Sequence, residues 1–281
     1  MRGGLPALVL VLWVLAALAG PWLPLHPDAI HLEHILAPPW VAGGLGCDDL
    51  GRPLLDRLVL GARTSLLVSV GVVGLSALLG TLVGALSGWF GGWWDRLTVH
   101  LIDVFLAFPG ILLAIALAGI LGPGIDNVVI ALTIVGWVGY ARLARAQVLS
   151  LRSREHVLAA VALGAGHARI LRWHILPLIG APLIVEATFG VASVIVGEAG
   201  LSFLGLGVQP PAASWGSMIR DGTRYLLVAP HMVIVPGTAM ALVVLAVNLL
   251  GDRLRDRLDV RQGPARARAA GRRRAKPADP V

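Results

Sequence analysis

Residues Thr64 to Trp94 read TSLLVSVGVVGLSALLGTLVGALSGWFGGWW, 31 residues without a charge. A helix needs about 20 mostly apolar residues to cross the hydrocarbon layer, so this stretch holds a complete spanning helix, predicted at Ser65 to Phe90. The rest of the chain agrees with it. Of 281 residues, 57% are hydrophobic and only 14% are charged, and the mean hydropathy is +0.80. Soluble domains carry roughly 25% charged residues. A globule of this size cannot hide so much apolar surface, and the bilayer is the solvent that remains. The single cysteine, Cys47, excludes an internal disulfide framework and a Cys-rich metal site. The 18 prolines and 35 glycines exclude a simple coiled coil. The lone lysine, Lys276, follows Ala275, so the chain lacks the Gly-Lys-[Ser/Thr] of a nucleotide-binding P-loop.

Working outward from this stretch, the same arithmetic predicts five further spans: Leu5 to Leu25, Leu101 to Leu121, Ile125 to Ala144, Leu178 to Phe203, and Pro230 to Leu250. The fold class is an all-α membrane protein with six transmembrane helices. The first span carries only Arg2 ahead of it, and its apolar run exceeds the 7–15 residues of a signal peptide, so a retained helix is expected. Residues 1–62 form an N-terminal helix and outer loop, 63–252 a core of five spans, and 253–281 a basic tail. The tail holds ten Lys/Arg and three Asp, which is the whole net charge of +7. It lacks aromatic residues and apolar periodicity, so it is read as disordered, facing anionic lipid rather than nucleic acid.

The distribution of Lys and Arg sets the orientation. With the N-terminus inside, inner segments hold eighteen basic residues and outer segments five; without the tail the split is eight to five. The chain is therefore read as N-in, C-in. Trp89, Trp93 and Trp94 then lie at the inner end of the second span and Trp22 at the outer end of the first, the positions of an aromatic belt. Gly80, Gly84 and Gly88 form a doubled small-xxx-small face, with Gly71 and Gly74 above. Lipid tails are as apolar as leucine, so such faces associate by close backbone packing within a bundle or at a subunit interface.

The longest inner connection, Arg142 to Pro177, carries the functional signal. Glu155 to Leu163 (EHVLAAVAL) suits a helix, with Ser153 as its N-cap and Glu155 in its first turn. Gly164 is a stop or sharp turn. His167 to His174 suits a second short helix, and Pro177 opens the fifth span. A compact helix pair on the inner face, with apolar Val157, Ala160 and Val161 and basic Arg169 and Arg172, suits docking to a cytoplasmic partner. Ala159-Ala160, three residues, Gly164, nine residues, His174, then Leu176-Pro177 resembles the EAA loop of binding-protein-dependent ABC importer permeases. Leu158 stands where that motif has Glu; Glu155 lies one turn earlier on a neighbouring face. His174 stands where the motif has Ile, and His-Ile-Leu-Pro is similar to the peptide/nickel branch. Gly46 to Arg52, Gly61 to Leu66, Asp103 to Pro109, and Glu198 to Gly207 with Gln209 to Pro211 and Ser214 to Gly216 resemble, in order, segments of the second (C-type) permease of dipeptide, oligopeptide and nickel importers.

What the resemblance implies is a permease subunit that forms half of a path for peptides or nickel in a prokaryotic inner membrane. Its implied partners are a second permease, two ATP-binding subunits that hydrolyse ATP, and an extracytoplasmic solute-binding protein. Its implied coupling residues are Glu155, Ala159, Ala160, Gly164, His174, Leu176 and Pro177. No cofactor, bound metal or nucleic acid is expected, and the chain is not expected to be an enzyme.

Independently of the resemblance, Glu186 and Glu198 lie within the fifth span. Ionisable groups at membrane depth are costly and mark pathways, so both are candidates to face one; the alternative is that they bond neighbouring helices. They also define the rival reading, a stand-alone secondary transporter or channel, which leaves the inner helix pair without a purpose. His26, His31, Glu33 and His34 cluster in the outer loop without compact metal-ligand spacing. Asp48, Asp49 and Arg52 are read as a surface ion network of little energetic weight, and Cys47 as an incidental small residue. Gly197 to Ser202 does not match the Gly-x-Ser-x-Gly of a serine hydrolase.

Overall fold

The computed structural model describes residues 4–41 and 44–258. Among these residues the chain is helical, without a named strand; one isolated antiparallel bridge joins Cys47 to Pro53. The helices are α1 (Gly4–Ala19), α2 (Leu54–Phe90), α3 (Gly92–Leu106), α4 (Gly110–Leu121), α5 (Ile125–Leu151), α6 (Glu155–Ala162), α7 (His167–Ile170), α8 (Leu176–Phe203), α9 (Trp215–Thr223) and α10 (His231–Leu258). Five stretches are long and apolar enough to cross a membrane: Gly4–Trp22, Leu54–Phe90, Ile125–Leu151, His167–Phe203 and His231–Leu258. A sixth follows if the bent pair α3 and α4 is one span.

The predicted third span departs most from expectation. Instead of one rod from Leu101 to Leu121, α3 and α4 meet at 87°. The cause is Pro109, which lacks an N–H and pushes the residue before it out of helical geometry. α2 ends on a different device: Gly91 and Gly92 take left-handed φ of +65° and +62°, turning the chain sharply into α3. The last helix runs through to Leu258 and so takes in the first six residues of the expected tail, Arg253 to Leu258. Residues 259–281, most of the predicted tail, lie outside the described residues.

α2 and α5 form the backbone of the bundle, side by side and parallel. A Cβ on Gly80 would run into the Trp137 carbonyl oxygen, one on Gly84 into that of Ala141, and one on Gly88 would come 2.9 Å from that of Arg145. Each step of four along α2 matches a step of four along α5, so the glycines let two backbones touch along three turns. Gly71 and Gly74, grouped with them by sequence, have open space where a Cβ would go. At about 100° per residue Gly71 lies opposite Gly80 and Gly74 about a third of a turn from it, so neither points at α5.

A second junction explains the Ser214-Trp-Gly216 motif. Ser214 and Ser217 cap α9 reciprocally, the Ser214 hydroxyl accepting from the Ser217 N–H at 3.2 Å and the Ser217 hydroxyl from the Ser214 N–H at 3.0 Å. The Trp215 indole donates to the Leu58 carbonyl at 3.0 Å and packs near Trp13. Gly216 sits against the Ala199 backbone, where a Cβ has no room. α1, α2, α8, α9 and α10 thereby share one core, which includes Trp13, Leu54, Ile195, Trp215, Met218 and Met232.

Candidate functional site

The α6–α7 module is built from a short helix, a sharp turn and a second helix that never properly ends. α6 starts at Arg154, which takes the N-cap position with extended backbone and no side-chain cap; the predicted cap, Ser153, lies one residue earlier. Its C-terminal end closes with two linked bonds: the Gly164 N–H donates to the Val161 carbonyl at 2.9 Å and the Ala165 N–H to that of Ala160 at 3.0 Å. This Schellman arrangement needs a left-handed residue, and Gly164 supplies φ +79°. α7 then passes through a π turn, Leu171–Ile175, directly into α8. The expected break before the fifth span is absent, and helical backbone runs from His167 to Phe203. Pro177 gives the physical reason: it cannot donate to the carbonyl four residues back, and the wider turn moves that carbonyl away from its ring. Pro177 thus lies inside a continuous helical path, and the π turn just before it is where the chain accommodates the ring.

The module has two faces. Val157, Ala160, Ile170 and Ile175 are buried and pack with Ile179 against Ala144 and Val148 of α5 and Ala85 of α2. On the opposite side Leu158, Val161 and Leu163 are exposed, Leu163 at 88%. Val161, grouped with the other apolar residues in the sequence reading, belongs to this outward face. Glu155 and Ala159 are exposed, His174 and Leu176 are half-buried, and Pro177 is exposed.

Around the module, the Phe90 end of α2 is tied by directional bonds. Arg145 grips Asp95 with both arms of its guanidinium, Nε to Oδ1 at 2.5 Å and one terminal nitrogen to Oδ2 at 2.8 Å, while the Ser87 hydroxyl donates to Asp95 Oδ1 at 2.7 Å. Arg152 donates to the Gly88 carbonyl at 3.2 Å. Trp89 Nε1 donates to His167 Nδ1 at 3.2 Å. Sequence reasoning missed all of these; the signal it had was an Arg and an Asp near the ends of apolar runs, each needing a partner. It also placed Trp89 in a lipid-facing belt. Trp93 and Trp94 are indeed exposed, but Trp89 turns toward His167.

The two glutamates part company. Glu198 is 1% exposed and enclosed by its own chain: Oε1 accepts from the Ser202 hydroxyl at 2.6 Å, and Ser202 in turn accepts from the Val208 N–H at 3.3 Å. Through Ser202 it is linked to the loop that follows α8, and its Oε2 is buried without a hydrogen-bond partner among the described residues. Glu186 lines a cavity of about 760 Å³ together with Gln147 and Ser150 of α5, Arg154, and Arg255 of α10.

The Gly46–Arg52 motif is not a surface network. Asp48 is 4% exposed and accepts from the Leu50 and Arg52 N–H groups at 2.9 Å and from Arg52 Nε at 2.7 Å. Its Oδ2 also lies 3.5 Å from Nε of the buried Arg57. Cys47 is buried in the same loop. Asp49, half-buried beside Asp48, has its carboxyl pushed up by desolvation and by the Asp48 charge. In the outer loop, His31 and Glu33 approach to 3.6 Å, and no group of three or more metal-ligating side chains occurs among the described residues.

The molecule is thus a bundle of helices apolar enough to cross a membrane, carrying a short helix pair with an uncovered apolar face. The chain belongs to the family of binding-protein-dependent transport system inner membrane components, whose model matches residues 80–263. It is 45% identical over 264 residues to the di/tripeptide transport system permease protein DppC of Pseudomonas aeruginosa (strain UCBPP-PA14), covering 92% of this chain and 86% of that one. It is 40% identical over 258 residues to the probable D,D-dipeptide transport system permease protein DdpC of Escherichia coli (strain K12), covering 92% and 87%. To the glutathione transport system permease protein GsiD of Escherichia coli O1:K1 it is 40% identical over 255 residues, covering 90% and 84%. The fold is similar to a chain of the inward-facing MetNI methionine ABC transporter in its CY5 native crystal form, with TM-score 0.59, 18% identity, and coverage of 73% of this chain and 98% of that chain. The protein is thus an inner-membrane permease subunit of an ABC importer, a transport component and not an enzyme.

Proposed function

We propose that this chain forms half of a translocation path for short peptides, and that the α6–α7 module is the surface on which an ATP-binding subunit docks. The observation that carries the docking reading is the division of α6: Val157 and Ala160 are buried in apolar contact with α5, while Leu158, Val161 and Leu163 project outward on a helix too short to span. An exposed apolar patch rimmed by Arg154, Glu155, His156 and Arg169 calls for a partner surface. Closure of paired ATP-binding subunits would push on this patch, and the push would reach α8 through the Gly164 turn and α7, which continues into α8 without a break. The coupling is mechanical and requires two cavity states that the ATP-binding subunits bias.

Six spans with both termini inside support the same reading. α2 and α5 run parallel, so the chain must cross back between them, and the bent α3–α4 pair is the segment available to do so. A second permease, two ATP-binding subunits and an external solute-binding protein complete the importer we infer. Peptides are favoured over nickel as cargo because the three relatives above are named for di- and tripeptides, D,D-dipeptides and glutathione. Glu186, in the large cavity, is the side chain proposed to line the path.

Leu163→Cys is expected to cross-link to the ATP-binding subunit in inverted membrane vesicles, and Glu186→Gln to lower dipeptide uptake in the assembled importer. Absence of any such cross-link in a complex that still transports would end the docking assignment.

A further inference from the structure

We propose that His167 is a positioning residue: its bond to Trp89 is the pivot that converts movement of the α6–α7 module into movement of α8 against α2. This rests on the docking reading above. The geometry around the pair is specific. His167 is the first residue of α7, immediately after the Gly164 turn, and so stands at the very start of the helical path that runs to Phe203. A load on α6 reaches α8 through this residue. Its Nδ1 accepts from the Trp89 indole at 3.2 Å, and its ring meets Trp89 and Phe90 edge-on, with centroids 5.9 and 5.7 Å away. One imidazole is thus held by two consecutive aromatic residues of α2.

The seat on the α2 side does not yield. Gly80, Gly84 and Gly88 press α2 backbone against α5 backbone, Arg145 forks onto Asp95 beside Ser87, and Arg152 holds the Gly88 carbonyl. Trp89 stands in the middle of these anchors. The remaining contacts between module and bundle, through Val157, Ala160, Ile170 and Ile175, are apolar and non-directional, so they permit sliding. A hydrogen bond with ring contacts does not permit sliding without breaking. It therefore sets the point about which the start of α8 turns. The bond needs His167 with Nδ1 unprotonated, because only then does that nitrogen accept.

The test uses the assembled importer in proteoliposomes with its ATP-binding subunits, second permease and binding protein, and reads uptake of radiolabelled dialanine per ATP hydrolysed. His167→Ala and Trp89→Phe are each expected to lower this ratio roughly three- to tenfold, the size of one net hydrogen bond. The double variant is expected to be no worse than either single one. His167→Asn, whose amide oxygen can sit near the position of Nδ1, is expected to restore most of the ratio, whereas His167→Gln is not. A wild-type ratio in both single variants, fully additive losses, or equal failure of Asn and Ala would overturn the pivot. If His167→Ala fails to assemble, the comparison of Trp89→Phe with His167→Asn decides. Failure of the docking reading shows separately, as absence of the Leu163→Cys cross-link; the ratios of the His167 and Trp89 variants are read in the same complexes and decide the pivot by the outcomes above.

Discussion

At the scale of single residues, chemically similar neighbours have opposite consequences here. Asp48 and Asp49 are adjacent carboxylates, yet Asp48 satisfies Arg52 and faces the buried Arg57 while Asp49 is crowded by Asp48. Asp48→Ala leaves a buried guanidinium short of its counter-charge and is expected to cost about 3 kcal/mol. Asp49→Asn is expected to be neutral or mildly stabilising at neutral pH. The sign follows from its raised carboxyl: the fold holds that proton more firmly than the unfolded chain does, so its contribution is present in acid and lost as pH rises through the carboxylate range. Unfolding in detergent at several pH values checks both. The glycines divide in the same way. Gly84→Ala drives a methyl group into the Ala141 carbonyl and is expected to destabilise by about 1–3 kcal/mol. Gly74→Ala meets open space and gains helix propensity, so it is expected to be neutral or stabilising. Equal melting temperatures for these two variants would contradict the parallel α2–α5 packing. Sequence put Gly80, Gly84 and Gly88 on one face with Gly74 above it; that this face is the one that meets α5 is decided only by the packing of the two helices.

At the scale of elements, two prolines act differently because of where they fall. Pro109 follows a helix that has already ended at Leu106, and the chain turns by 87°. Pro177 falls within the continuous path from α7 into α8, and the chain absorbs it with a π turn. Pro177→Ala restores an ordinary donor and is expected to let the π turn tighten, rotating the module relative to α8. The pattern of cysteine accessibility across residues 167–174 should then shift by one position while membrane insertion is unchanged. The apolar runs that house these elements were legible from sequence, as were the Gly164 turn and the start of α6 to within one residue. The bend, and the continuity of α7 with α8, were not. Hydropathy records how apolar a stretch is but not the direction in which its axis points.

At the scale of the whole molecule, orientation decides what each surface meets. Leu163, and Leu226, Leu227 and Val228 between α9 and α10, are exposed; in the proposed orientation, with both termini inside, Leu163 would face the cytoplasm and the other three would face outward. A membrane-impermeant thiol reagent is expected to label Leu227→Cys in intact cells and Leu163→Cys only in inverted vesicles; the reverse pattern would invert the topology. The fold likeness to a methionine transporter chain at 18% identity shows that this architecture outlasts sequence similarity, as expected when bilayer thickness dictates element length. The amino-acid order by itself determined the solvent, the all-helical class, the approximate spans and the family-bearing motifs. All of these depend on composition and spacing within segments about as long as a membrane is thick. Tertiary structure alone decided that Glu198 is buried while Glu186 opens on a cavity, that Asp48 is buried, and that Trp89 meets His167 across 78 residues of chain. Those outcomes depend on which helix faces come together, and burial and hydrogen bonding are properties of that meeting rather than of either segment alone.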